Sequence, residues 1–192
     1  MTAAKKLSHM TIEEFELAYE GTRSQFHEGE VWEAKGPAPD HSDAMGALTE
    51  VLRSLFHKKG GPLLPGGWWI QPEVSVKYGL NNLFVHDMAG WKRSKHPERP
   101  RLYPIIERPD WVCEILSSND SNDLVKKKSV LLNNEVPYYW IVHPTDKIIT
   151  VLEWSSKGYV SILDVTQGFE GKIPPFDVVK LSANLLFGED NE

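Results

Sequence analysis

The sequence predicts an α/β fold in which helices flank a mixed β-sheet. Apolar residues recur every three or four positions in residues 40–57, which is the spacing of a core-facing helix. From Pro72 the spacing changes to two, as in a strand, and "DWVCEIL" is almost continuously apolar, as in a strand covered on both faces. Helices and strands therefore alternate along 192 residues, a length typical of one domain spanning residues 1–192.

The N-terminal part of the chain is predicted to contain two helices. "TIEEFELAYEG" is a short amphipathic helix in which Thr11 and Glu14 can form a capping box. "QFHEGEVWEAKGPAP" is a strand or hairpin around Gly29, closed by prolines. The longer helix at residues 40–57 follows, and "KKGGPLLPGG" ends it. Its core-facing residues are Met45, Leu48, Leu52, Leu55 and Phe56.

The rest of the chain is predicted to be mainly β-structure around one helix. The alternating strand after Pro72 is followed by a short strand at residues 83–88 and by the central strand in "DWVCEIL". A helix covers roughly residues 122–134. Three β-rich segments, "PYYWIVHP", "KIITVLEW" and "GYVSILDV", come next and add a hairpin to the sheet. The residues that share one face of the first strand are Val74, Val76 and Tyr78.

The composition argues against several classes of protein. No apolar run approaches the roughly 18 residues of a membrane-spanning helix. The first residues lack the apolar region of an export signal, so we expect a cytoplasmic protein. Cys113 is the single cysteine, which excludes a disulfide within one chain. Because Cys113 lies among Trp, Val and Ile, an inert core position is a better interpretation than a catalytic thiol.

The charge distribution leaves one basic segment in an acidic chain. The net charge of −6 argues against a protein that coats nucleic acid through bulk charge. "WKRSKHPERPR", residues 91–101, is locally basic, with Glu98 as its one acid. A solvated loop and a phosphate-contacting loop both fit this pattern. Its basic residues are Lys92, Arg93, Lys95, Arg99 and Arg101.

Three acidic residues lie in predicted strands. Glu114 is in the middle of the central strand, Asp87 shares a strand face with apolar residues, and Glu73 has polar neighbours and can face water. A buried carboxylate is costly unless it is paired or bound to a metal. Because adjacent strands lie about 5 Å apart, Asp87 and Glu114 can converge on a divalent cation. Oxygen ligands favour Mg²⁺ or Mn²⁺ over zinc, and the seven histidines show no zinc-hydrolase spacing.

The helix after Glu114 carries three consecutive lysines, any of which could pair with that acid. Lys126 falls outside the apolar arc of this helix and is expected to be solvated. Lys127 and Lys128 fall inside the arc, with Lys128 nearer its centre, so helical geometry leaves both as candidates. The residues that define the arc are Leu124, Val125, Val130, Leu131 and Leu132.

The segment from Pro109 to Pro144 resembles the Uma-type putative restriction endonucleases of the PD-(D/E)XK nuclease superfamily. Their pattern is P-D, two hydrophobic residues, E-[VI]-L-S-P-S, then D-x3-K and a later Y-W-hydrophobic-V-D-P. "EGE" at 28–30, "PAPDHSDAMGALTEVL" and "FVHDMAGW" also resemble the family's earlier segments. The matching residues are Pro109, Asp110, Glu114, Ile115, Leu116, Ser117, Asp123, Lys127, Val136, Tyr139, Trp140, Val142 and Pro144.

This resemblance implies a restriction endonuclease-like core and metal-dependent hydrolysis of phosphodiester bonds in DNA. Asp87 and Glu114 would hold Mg²⁺ or Mn²⁺, with Glu73 as an outer or second-metal ligand. The D-x3-K spacing from Asp123 selects Lys127 to orient the metal-bound water or stabilise the transition state.

The resemblance and the charge pattern together suggest substrate contacts and an oligomeric state. The candidate substrate-binding residues are His41, at the start of the long helix, and Lys92, Arg93 and Lys95, in the basic segment. Cutting both strands of a duplex commonly needs two active sites, so we expect a homodimer with DNA as its partner.

The chain also departs from the family pattern, which keeps a second hypothesis open. None of the departures removes an acid or the lysine, but a non-catalytic binding or assembly module could have kept the nuclease fold. Divalent-metal binding separates the two hypotheses. The departures are His86 and Ser118 for prolines, Leu131 for tyrosine, Glu135 for glycine and His143 for aspartate.

Overall fold

A mixed sheet of eight strands forms the centre of the part of the chain that this computed structural model describes, residues 10–33, 36–61, 65–117 and 121–189. Its strands are β1 (Gln25–His27), β2 (Glu30–Trp32), β3 (Trp68–Tyr78), β4 (Asn82–Lys92), β5 (Trp111–Ile115), β6 (Tyr138–His143), β7 (Ile148–Glu153) and β8 (Val160–Thr166). The helices are α1 (Ile12–Ala18), α2 (Pro39–Phe56), α3 (Ser121–Asn133) and α4 (Ala183–Leu186). A small second sheet pairs β9 (Glu170–Gly171) with β10 (Leu181–Ser182).

The strand order creates a fork in the sheet at β4. The order is β2-β1-β4-β5-β6-β7-β8, and β3 pairs with β4 along residues 82–92. Because β3 occupies one edge of β4, the other edge is shared by β1, at residues 82–83, and β5, at residues 88–90. Residues 84–87 of β4 therefore lie between two strands that diverge, and we call this stretch the fork.

Two hydrophobic cores cover the two faces of the sheet. The α2 core packs α2 and α4 against one face, and it includes the T-shaped contact of Trp111 with Trp140. The α3 core packs α3 against the other face, around Tyr139 and Trp91. All of β5 is buried because it lies between the two cores. A smaller cluster joins α1 to the β1–β2 hairpin.

Most predicted elements are confirmed. Thr11 and Glu14 form the capping box of α1, and the hairpin turns at Glu28 and Gly29, both with positive φ. The long helix covers Pro39–Phe56, the central strand covers Trp111–Ile115, and the hairpin β7–β8 extends the sheet. The predicted α/β fold with a mixed sheet flanked by helices is correct.

Two predictions were wrong in detail. The second strand does not end at residue 88 but continues to Lys92, because Gly90 lets the rings of Trp111 and Trp68 pack directly over the backbone. On α3, Val125 is not part of the buried arc, since it is 68% exposed. The short strands β9 and β10 lack the length and alternation that would have predicted them.

We expect Gly90→Ala to destabilise the fold by about 1–3 kcal/mol. An added Cβ would lie 3.1 Å from Trp111 and 3.2 Å from Trp68, two buried indoles with little room to move. Gly46→Ala is the matched control, because no atom lies within 4 Å of its added Cβ. At that helical position alanine should stabilise by roughly 0.5–1 kcal/mol. Urea unfolding would measure both, and a neutral Gly90→Ala would contradict the packing described here.

A candidate active site in the fork of the sheet

Glu114 lies buried beside the fork, and both of its carboxylate oxygens have partners. The residue is 7% exposed. Its Oε1 lies 2.5 Å from Nδ1 of His86, and its Oε2 accepts a hydrogen bond from Nζ of Lys127 at 2.7 Å. Nε2 of His86 lies 2.7 Å from the hydroxyl of Tyr78. The four side chains therefore form one buried hydrogen-bonded chain.

The charges in this chain follow from burial and pairing. Burial raises the pKa of Glu114, but the Lys127 ammonium and the hydrogen bond from His86 outweigh it, so the pKa lies below its usual value. Burial lowers the pKa of His86 and outweighs the opposing influence of Glu114. Burial also raises the pKa of the Tyr78 hydroxyl. A neutral His86 thus donates from Nδ1 to an ionised Glu114 and accepts at Nε2 from Tyr78.

Lys127 is the lysine of α3 that reaches Glu114. It is 6% exposed, and its Nζ also donates to the carbonyl oxygen of Val85 in the fork at 3.1 Å. Lys126 extends to Glu30 and lies over the ring of Trp32, with Nζ 4.4 Å from the centroid. Lys128 is only half-buried. The side chain of Asp123, from which the family spacing is counted, lies outside the described residues.

Asp87 occupies the same fork but engages the other layer of the fold. Its Oδ2 accepts the backbone N–H of Ile115 at 2.7 Å, at the position where β4 and β5 have separated. Its Oδ1 lies 3.1 Å from Nε2 of His41, in the first turn of α2. The hydrogen bond to Asp87 raises the pKa of His41 above its usual value. His41 and Asp87 therefore form a second polar pair on the α2 side, whereas Glu114 pairs on the α3 side.

A reversal of side-chain alternation separates the two acids. On β3, Ile70 packs in the α2 core and Val74 in the α3 core, although residues four apart in a regular strand face the same side. Met88 and Phe84 show the same reversal on β4. It occurs at Glu73, whose φ of 48° takes β3 out of the extended conformation. Alternation counted from the sequence does not detect such a local change.

Glu73 lies at the rim of the fork. The flanking pairs, Pro72 with Met88 and Val74 with His86, place residue 73 opposite Asp87. Its side chain is more than half exposed and forms an ion pair with Arg23. The structure thus brings Glu73 near the fork but engages its carboxylate with a cation of the chain.

The basic residues of β4 and the following loop do not lie at the fork. Lys92 is five residues beyond Asp87, roughly 17 Å along a strand. Arg93 stacks on Trp69, with the guanidinium carbon 3.4 Å from the ring centroid, and Lys95 pairs with the buried Asp110. The phosphate contacts of Lys92, Arg93 and Lys95 stay predictions, and β4, which is longer than predicted, places these residues away from Asp87.

The fork contains carboxylate oxygens, the type of ligand that magnesium prefers. Asp87 and Glu114 both lie at the fork, Asp87 paired on the α2 side and Glu114 on the α3 side, and Mg²⁺ is often bound through one or two carboxylates plus water and substrate oxygens. Among the described residues, no group of three His, Cys, Asp or Glu side chains is arranged to hold a metal ion. A site here would therefore depend on these two carboxylates and on oxygens from outside the chain.

Two residues of the site, Tyr78 and His86, were not predicted to act in it. His86 was noted only as a substitution for proline, and Tyr78 only as an apolar position. Glu114 was singled out because it is a polar residue among apolar strand neighbours. The same criterion would have identified His86. Tyr78 gives no such signal, because a strand tyrosine facing a core is common.

Comparisons with known proteins agree with this architecture. The family model Uma2, described as a putative restriction endonuclease, matches residues 12–182. A putative nuclease belonging to DUF820 from Anabaena variabilis, known from a crystal structure, has a TM-score of 0.73 and 20% identity, covering 93% of this chain and 98% of that chain. No curated protein matches. The family predicted from the sequence is confirmed, and in the described part of the chain no helix is long and apolar enough to cross a bilayer.

The Glu114–Lys127 pair should behave as a buried ion pair in a double-mutant cycle. Glu114→Gln or Lys127→Met alone should cost about 3–5 kcal/mol in unfolding free energy, because each leaves one buried charge without its partner. The double variant should cost less than the sum of the two. Arg108 and Glu135, a partly exposed pair 3.8 Å apart, provide the control cycle, with an expected coupling below about 1 kcal/mol. Equal coupling in both cycles would contradict the burial of the pair.

Proposed function

We propose that this chain, which belongs to the Uma2 family of putative restriction endonucleases, is a nuclease that hydrolyses phosphodiester bonds of DNA with the help of Mg²⁺ or Mn²⁺. The observation that carries the proposal is the buried pair of Glu114 and Lys127 in a fork that also contains Asp87. Ionised groups are expensive to bury, and a purely structural contact could be replaced by apolar packing without loss of stability. A buried carboxylate whose pKa is shifted by a specific charge partner favours a functional site.

The residues of the fork have distinct proposed roles. Asp87 and Glu114 would hold the cation, which when bound lowers the pKa of water and offsets charge on the phosphate. Lys127 is fixed between Oε2 of Glu114 and the carbonyl oxygen of Val85, so its ammonium is a positioned charge beside the reacting phosphate. His86 orients Glu114 through Oε1, and it is itself fixed by Tyr78.

His41 is proposed as the group that orients Asp87. Its Nε2 lies 3.1 Å from Oδ1 of Asp87, and the residue is buried on α2. The raised pKa of His41 increases its cationic fraction near neutral pH, which strengthens its pairing with Asp87. Because the described residues contain one such site, cleavage of both strands of a duplex would require two copies, and we propose a homodimer for that reason.

The alternative function is a binding or assembly module without chemistry. One observation favours it: every carboxylate oxygen of Asp87 and Glu114 already has a partner within the chain. Under this alternative the network of the fork would serve stability alone. Metal binding and DNA cleavage separate the two.

We expect calorimetry to detect Mg²⁺ or Mn²⁺ binding to the wild type and weaker binding to Asp87→Ala. The reason is that each carboxylate supplies a large share of a site with two protein ligands. Glu73→Ala is the control at the rim, and it should bind the ion as the wild type does if its carboxylate serves only Arg23. Equal affinity of wild type and Asp87→Ala would remove Asp87 from the site. Weaker binding by Glu73→Ala would instead make Glu73 a ligand.

Lys127→Met should abolish cleavage of plasmid DNA in Mg²⁺ or Mn²⁺, whereas Lys128→Met should have a mild effect. Loss of one positioned electrostatic group typically lowers the rate on the order of 10²–10³. Circular dichroism at the assay temperature would establish that both variants are folded, because Lys127 also contributes to stability. If Lys128→Met is inactive and Lys127→Met is active, the catalytic role belongs to Lys128 and not to Lys127. A wild type that never cuts DNA would contradict the nuclease proposal.

A further inference from the structure

A cluster of basic residues forms at the C-terminal end of α2, the end farthest from His41. The loop after α2 joins the basic segment of residues 91–101 through two backbone hydrogen bonds, from Gly67 to Lys58 (2.8 Å) and from Arg93 to Gly67 (2.9 Å). Residues distant in sequence therefore become neighbours. The basic residues that meet there include Arg53, Lys58, Lys59, Arg93 and Arg99.

The pKa of His57 is lowered in part by the positive charges at this end of the molecule. Its Nδ1 accepts the backbone N–H of Ile70 at 2.8 Å, which keeps the imidazole between α2 and β3. Burial lowers its pKa first, and the charges of Arg53, Arg93 and Arg99 lower it further, to about 4. Three guanidinium groups from two parts of the chain thus act on one histidine.

The basic cluster continues toward the fork along the outer edge of β3. The segment after Arg99 follows that edge: Gln71 donates to the carbonyl of Pro100 at 3.1 Å, and Ile105 pairs with the backbone of β3 near Val76. Arg101 lies between these two attachments and is exposed.

The far end of this path reaches the rim of the fork. The hydroxyl of Tyr103 accepts a hydrogen bond from the backbone N–H of Gly21 at 3.2 Å. Two residues after Gly21, Arg23 pairs with Glu73, which lies opposite Asp87. Basic side chains are therefore distributed from the C-terminal end of α2 to the fork.

We propose that this outer edge of β3 is a track that binds the phosphate backbone of duplex DNA beside the fork. The inference rests on the proposed nuclease function. The chain as a whole carries a charge of −6, so attraction for a polyanion must come from a local surface of this kind. Lys92 lies five residue steps along β4 from Asp87, roughly 17 Å, which corresponds to about five base-pair steps of 3.4 Å.

The track assigns the DNA contacts to exposed residues of the loop after α2 and of the segment at residues 99–101. Lys92 lies over Trp68, Arg93 over Trp69, and Lys95 pairs with Asp110, so these cations also stabilise the fold. Other exposed members of the track form no such ion pair or ring contact within the described part of the chain. They are Lys58, Lys59, Arg99 and Arg101.

The test compares two triple variants of the full chain with equal charge change. The track variant is Lys59→Ala, Arg99→Ala and Arg101→Ala. The control is Lys157→Ala, Lys172→Ala and Lys180→Ala, all exposed and outside the track. Fluorescence anisotropy in EDTA would measure binding of a labelled duplex DNA and of a duplex RNA of the same sequence, across a range of salt concentrations. Plasmid cleavage in Mg²⁺ would be measured in parallel.

The track variant should bind duplex DNA at least tenfold more weakly, and its salt slope should fall by about 2–3, near 0.9 for each lost phosphate contact. The control should match the wild type. Equal weakening in both variants, or in neither, would overturn the track. Tighter binding of the RNA duplex would overturn its assignment to DNA. If the wild type binds DNA through the track but never cuts it, the nuclease proposal fails while the track stands.

Discussion

The structure of the site depends on one edge of β4. At residues 84–87 this edge is paired with neither β1 nor β5. Because β3 fills one edge of β4, strands β5 and β1 must share the other, and they leave the fork between them. A buried backbone group needs a hydrogen-bond partner, so side chains take the place of the missing strand. Gln25 accepts the N–H of Val85, Lys127 donates to its carbonyl, and Asp87 accepts the N–H of Ile115. The polar side chains of the site are therefore also what closes the sheet.

The same polar side chains pair with each other and satisfy backbone groups, which explains how charged residues remain buried in a core. Lys127 satisfies a backbone carbonyl and a carboxylate at once, and Glu114 uses its two oxygens for His86 and Lys127. Each partner offsets part of the desolvation cost of the others, whereas replacing one member leaves the rest unpaired. The proposed catalysis would use this arrangement, because electrostatic stabilisation of a transition state needs charges that are already held in place.

The sequence predicted the elements well and the site in part, and particular residues explain the difference. Helix α2 and strand β5 were predictable because their apolar spacing is local. Helical geometry could not choose between Lys127 and Lys128, since the exposed Val125 had shifted the apparent centre of the arc, and the family spacing selected the buried one. The reversal at Glu73 and the contact of His86 with Tyr78 depend on contacts between strands. The spacing of apolar residues in a single sequence does not show such contacts.

The placement of basic residues on the outer edge of β3, rather than inside the fork, follows from electrostatics. A cleft that contains Asp87, Glu114 and, at its rim, Glu73 repels a phosphate backbone unless cations offset the acids. Lys127 is already paired with Glu114, so it contributes little long-range attraction. Placing further cations inside the fork would pair them with the same acids and remove the oxygens that a metal needs. Cations on the outer edge of β3 can attract the polyanion without pairing with Asp87 and Glu114, so they leave the site itself unchanged.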